Sequence, residues 1–221
     1  KYPGEWWLQP ALLITLVYRF GPTGINSEAA ERVMANGQCF LCRRNVLTQL
    51  GGYASAKGSF CDDVTLARHA AEHGFKVGFL DGAKVVKVRM YEGASETWKE
   101  WGRSLDLKDA SSTGQLWSDL WLLLSVQGLP LPISLLALGY LGSGSSTPFV
   151  MAAVGLNVFL LLIRFALLFA IAPSYDRSHT SPGASWLFWL SPLADPLAVV
   201  RIFLSAIRKP TQWRGRSYGG V

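Results

Sequence analysis

The sequence predicts an α/β region, then an α-helical membrane hairpin, then an interfacial helix. Three observations predict it. Half of the 221 residues are hydrophobic and only 16% are charged. The charges are unevenly placed: residues 1–109 carry 14 Lys+Arg against 12 Asp+Glu, whereas 110–172 hold only Asp119 and Arg164. Short apolar runs bounded by Gly, Asn and Asp fill the first region, and long ones fill the second. The natural divisions are therefore 1–109, 110–172 and 173–221. Disorder is excluded, because this chain has ample apolar surface to bury. Three cysteines among 221 residues make no disulfide framework. The net charge of +6 sits mostly in the tail, at Arg201, Arg208, Lys209, Arg214 and Arg216. A nucleic-acid binder needs a basic face across a folded domain, so no nucleic-acid partner is expected.

Taken in order, Trp6 to Phe20 is apolar but contains Pro10 and Arg19, which suits an interfacial helix or one packed on the hairpin. Cys39-Phe40-Leu41-Cys42, flanked by Asn36-Gly37 and Arg43-Arg44, reads as a strand. Gly51-Gly52 marks a turn. Asp62-Asp63 opens a helix that runs to His73 and stops at Gly74, with acids at the positive end and glycine beyond the last turn. Residues 76–80 and 84–89 follow as further strands. Cys39 and Cys42 lack the two additional ligands a zinc site requires and are expected as buried structural thiols. His69 and His73 share one helical face and are expected to be solvated.

Pro148 to Ala172 offers 25 residues with a single charge, enough to span a bilayer. Leu116 to Leu141 is long enough as well, but Asp119, Gln127 and Pro130-Leu131-Pro132 predict a kink. Gly142 to Ser146 connects the two as a hairpin. Trp186 to Ile207, interrupted by Pro192, Asp195, Pro196 and Arg201, suits the interface. The basic tail belongs on the cytoplasmic side. Two spans then place residues 1–109 there too, giving an integral membrane protein among membrane lipids. Arg164 inside a span calls for a partner: Asp119, another hairpin group or a lipid headgroup.

One ordered set of motifs stands out: Asn36-Gly37-Gln38-Cys39-Phe40-Leu41-Cys42-Arg43-Arg44, Leu50-Gly51-Gly52, Cys61-Asp62-Asp63-Val64-Thr65-Leu66-Ala67-Arg68, Val88-Arg89-Met90-Tyr91 and Trp98-Lys99-Glu100-Trp101. With the ending Gln212-Trp213-Arg214-Gly215-Arg216-Ser217-Tyr218, this order resembles the C-terminal half of membrane-bound family 2 glycosyltransferases, especially the bacterial carotenoid and hopanoid-associated type. The resemblance implies the acceptor-side part of a GT-A-like domain over 1–109. It also implies transfer of a sugar from a nucleotide-sugar donor to a hydroxyl of a lipophilic acceptor, a carotenoid above all.

Such a displacement needs a base for the hydroxyl proton. The resemblance carries that role to Asp63, with Asp62 beside it, since adjacent carboxylates resist ionising together. The same pair also reads simply as helix-start acids. Gly37 and Gln38 are implied on the acceptor side, with Arg89 as a donor contact. Trp101 and Arg103 fall where relatives carry a Gln-x-x-Arg-Trp element. Here the order differs and Gln is missing, so an amphipathic surface helix is the competing reading. The family's divalent ion, Mg²⁺ or Mn²⁺, is expected through a nucleotide-binding half. Only 35 residues precede Asn36 and no Asp-x-Asp is present, so no metal residue is assigned in this chain. The alternative is a non-catalytic membrane accessory subunit that retains part of a glycosyltransferase fold and packs against other membrane subunits.

Overall fold

The computed structural model describes residues 2–24, 29–59, 61–102, 105, 107, 110–144, 147–176, 178, 180 and 183–207. Of 212–213 and 216–217 it describes the backbone alone. Nine α-helices are found among them: α1 Pro3–Phe20, α2 Arg44–Gln49, α3 Asp62–Glu72, α4 Gly93–Glu96, α5 Thr113–Leu123, α6 Pro130–Gly142, α7 Pro148–Ile171, α8 Trp186–Trp189 and α9 Asp195–Ile207.

α1 is the axis of the packing. Pro3 suits the first turn, where an N–H would have no intrahelical partner. The helix ends at Gly21, whose φ of 78° is open to glycine and whose N–H returns to the Val17 carbonyl. Leu8, Ala11 and Leu12 lie along one stripe. They close a core with Leu116, Leu120 and Leu123 of α5 and with Ala198, Val199 and Ile202 of α9. Trp6 joins a second cluster with Leu168, Ala172, Ala184 and Phe188. So the first apolar stretch is packed against the later helices along most of its length.

The expected α/β region is not there. No sheet forms among the described residues of 1–109, and the one strand ladder pairs Gln212–Trp213 with Arg216–Ser217 in the tail. Residues 40–42, 75–82 and 86–92 lack regular structure. A helix satisfies its own N–H and C=O groups, whereas a strand takes its hydrogen bonds from a neighbour. None of these runs has such a neighbour. Their side chains are correspondingly bare: Leu41 is 96% exposed, Val85 84% and Leu80 78%. The buried-thiol expectation fails with the strand. Cys39 is exposed and Cys42 half-exposed; of the three free cysteines only Cys61 is buried.

The hairpin also needs correcting. By length and composition one helix, Pro148–Ser174, can cross a membrane. The other arm is a broken pair, Thr113–Gly128 and Pro130–Gly142, bent by 43°. The bend has a local cause. Leu124–Gly128 forms a π turn, closed by the Leu129 N–H on the Leu124 carbonyl at 2.9 Å, just before Pro130 and Pro132. It turns Gln127 inward, where Nε2 donates to the Ala11 carbonyl and to Asp195 Oδ1, both at 2.9 Å.

Arg164 of α7 finds neither Asp119 nor solvent. Its Nε and Nη2 donate to Asp195 Oδ2 and Oδ1 at 2.7 and 3.0 Å, and Nη2 also reaches Ser191 Oγ at 3.3 Å. This pair joins α7 to the start of α9. Asp119 instead accepts from Arg19 Nε at 3.0 Å and so joins α5 to the end of α1. Each isolated charge of the apolar block is thus half of a buried clamp between helices distant in sequence.

Candidate functional site

α3 starts where the sequence places it, at Asp62, and gives way to Gly74, whose φ is 79°. Its inner face, Val64, Leu66, Ala67 and Ala70, is buried, and Cys61 and Val64 pack with Leu107, Phe20 and Met34. The helix mouth is therefore anchored from behind while its first acids point outward.

Asp62 is exposed, and its Oδ1 accepts from the Asp63 N–H at 3.0 Å. Asp63 is half-buried, and its Oδ2 accepts from the Gly37 N–H at 2.5 Å. Gly37 lies directly against this carboxylate: a β-carbon there would stand in van der Waals contact with it, 3.4 Å from Oδ2. Burial pushes the Asp63 carboxyl above its ordinary range. The N–H groups of Val64 and Gly37 oppose that rise, and the charge of Asp62 adds to it. Among the described residues Asp63 is held by backbone donors and has no counter-ion, and its proton affinity is raised.

Gln38 extends the cluster. Its backbone N–H donates to Asn36 Oδ1 at 3.1 Å, and its Nε2 reaches Met90 Sδ at 3.3 Å. The Gly37-Gln38 turn thereby meets both the α3 mouth and the Arg89-Met90-Tyr91 segment, although 52 residues separate Gln38 from Met90. Arg89 turns elsewhere, to Glu5 Oε2 at 3.4 Å and Glu92 Oε1 at 3.3 Å. Trp101 lies partly buried on the α1–α5–α9 core, outside the Gly37–Asp63 contact. Arg103 lies outside the described residues.

Several anchors were not read from the sequence. Gln9 of α1 is buried and donates to the Tyr91 carbonyl at 2.7 Å and to Thr97 Oγ1 at 3.2 Å. Arg201 of α9 donates to the Trp98 carbonyl at 2.5 Å and the Lys99 carbonyl at 3.2 Å, so it clamps the Thr97–Trp101 π turn from below. The available signal was a polar group breaking an apolar helix face, at Gln9 and Arg201 alike.

Among the described residues no three His, Cys, Asp or Glu side chains converge. The described residues therefore do not fit a divalent ion.

Residues 6–107 match the family model described as glycosyltransferase like family 2. The match supports a relation to that family and, in general terms, a glycosyltransferase function. No curated protein and no solved structure matches the chain. The matched segment contains α1, the Gly37-Gln38 turn, the α3 mouth and the 89–101 stretch, which are the elements the contacts above draw together.

Proposed function

We propose that the protein takes part in transfer of a sugar from a nucleotide donor to the hydroxyl of a lipophilic acceptor, with Asp63 as the base. The observation that carries this reading is the carboxylate of Asp63, half-buried beside Gly37, with raised proton affinity and no cation against it among the described residues. The Asp63 carboxylate takes the hydroxyl proton as the acceptor oxygen bonds to the anomeric carbon. The bond from that carbon to the diphosphate breaks, and the nucleoside diphosphate leaves with the electron pair. Asp62 raises the proton affinity of its neighbour, and the bare Gly37 leaves space beside the base. In this reading the acceptor is a carotenoid-type alcohol, following the family resemblance.

The acceptor's medium is the bilayer. The window of Pro148–Ser174 is only 17% buried, so this helix is no core helix of the described fold. Phe149, Phe159, Leu162 and Phe169 stand bare along it. α9 is apolar on both sides: Ala198, Val199 and Ile202 face the core while Leu197, Val200 and Phe203 remain exposed. Exposed Trp117, Trp121 and Trp186 supply the amphipathic rings that favour the headgroup region. With the bent pair counted as a second, broken span, the Asp63 region and the basic tail share one face, which we take as cytoplasmic.

The test is sugar transfer to a lipid-soluble alcohol by the complete protein in bilayer nanodiscs. Asp63→Asn should lower the rate about 10²- to 10⁴-fold, the usual contribution of a positioned base, with the helical circular dichroism unchanged. Full activity in a folded Asp63→Asn protein removes Asp63 from this role.

A further inference from the structure

Besides Asp63, the strongest concentration of charge lies at the far end of α1. Arg19, Arg32 and Arg68 gather around a cleft of about 240 Å³ whose wall includes Arg19, Arg32, Phe20, Pro22, Val77 and Phe79. Arg19 is fully buried and held by Asp119 and the Leu105 carbonyl. Arg32 uses only Nη1, for the Arg19 carbonyl at 2.7 Å and Asp119 Oδ1 at 3.3 Å. Its other donors carry no bond to the described residues, and its side chain is 40% exposed. Arg68 is buried behind the same wall, its guanidinium 5.8 Å from the Phe20 ring that Arg19 also covers at 4.9 Å. It donates to the carbonyls of Val33 and Ala110 and to Ser111 Oγ, yet its Nη2 has no partner.

Among the described residues Arg19 and Arg32 both reach the carboxylate of Asp119, while Arg68 donates to carbonyls and a hydroxyl. Guanidiniums crowded in this way repel one another, and a buried unsatisfied N–H is costly. Burial and the charge of Arg19 push the Arg68 guanidinium down to about 10. An anion in the cleft eases that repulsion.

We propose that this cleft is a binding site for a phosphate-class anion, gripped by the free donors of Arg32 and by the field of Arg19 and Arg68. Guanidinium forks match phosphate oxygens, and the Phe20, Pro22 and Phe79 wall accepts the carbon side of a phosphate ester. The group is either a lipid headgroup phosphate or a free phosphate. This inference does not use Asp63 and stands apart from the sugar-transfer reading.

The test uses the complete protein in micelles of dodecyl maltoside, which hold no phosphate. Protection against heat is measured with inorganic phosphate in one arm and with phosphatidic acid mixed into the micelles in the other. We expect saturable protection in at least one arm, weakened about tenfold in apparent affinity by Arg32→Gln and restored in part by Arg32→Lys. Arg44→Gln, which removes the same charge from an exposed site on α2 outside the cleft, should leave it unchanged. Protection by phosphatidic acid alone assigns the headgroup, and protection by phosphate alone assigns the free ion. No protection in either arm, or protection insensitive to Arg32→Gln or equally lost in Arg44→Gln, overturns the proposal.

Discussion

The helices around α1 and the stretch between α1 and α4 both carry apolar runs, yet these runs end up differently. Leu8, Leu12, Leu120, Leu123 and Ile202 are 0–4% exposed, and the charges among them are paired. Leu41, Leu80 and Val85 are at least 78% exposed and touch almost nothing. Burial therefore follows whether an apolar run finds a packing partner, and even the helix α7 leaves Phe149 and Phe159 exposed where it has none. A helix carries its hydrogen bonds with it and can sink an apolar stripe wherever a second helix offers one. An extended run buries its side chains only after another strand has taken its N–H and C=O groups.

The largest effect expected from this contrast lies at the clamp between α7 and α9. Arg164→Ala leaves Asp195 buried with Gln127 as its remaining partner, and removing half of a buried pair costs about 3–5 kcal/mol. Thermal unfolding in detergent should show the variant far below wild type; a loss under about 1 kcal/mol would mean that solvent already reaches the pair. Next comes a matched pair of truncations. Leu12→Ala opens a hole in the α1–α5–α9 core and should cost about 2–5 kcal/mol. Leu41→Ala should stay within about 0.5 kcal/mol, as surface changes do. Equal costs at the two sites would show that residues 40–42 are covered in solution and erase the contrast.

The same physics decides what was legible in the sequence. The α3 boundaries, the Gly51-Gly52 turn and the kink near Pro130 rest on local chemistry, and each is found where that chemistry puts it. The three strands rested on pairing, which no single segment encodes, and they are not formed. Asp63 and Gly37 were both singled out, but their contact joins residues 26 apart, and only the fold shows it. Arg164 advertised itself by sitting in an apolar run. Its partner Asp195 did not, because the identity of a distant counter-charge is set by how α7 and α9 cross. The convergence of Arg32 and Arg68 with Arg19 is likewise set by packing between distant segments, which no single stretch of sequence encodes.

The smallest effect is the one that best separates an acid at a helix start from a base in use. Asp63 has its carboxyl raised in the fold, first by burial and further by Asp62. The folded state therefore holds the proton more tightly than the unfolded chain does. Its contribution to stability is complete below the ordinary aspartate value and fades as pH climbs through the higher folded one. Wild type measured against Asp63→Asn should thus lose a little stability across that interval and stay level above it. Sugar transfer should move oppositely, rising with pH along a limb displaced above the ordinary carboxylate range. Asp62→Asn removes the neighbouring charge and should draw that limb back toward lower pH with transfer retained. A helix-start acid without a catalytic task predicts the stability trend but leaves the transfer limb where it was in Asp62→Asn, so the two profiles together decide what Asp63 does.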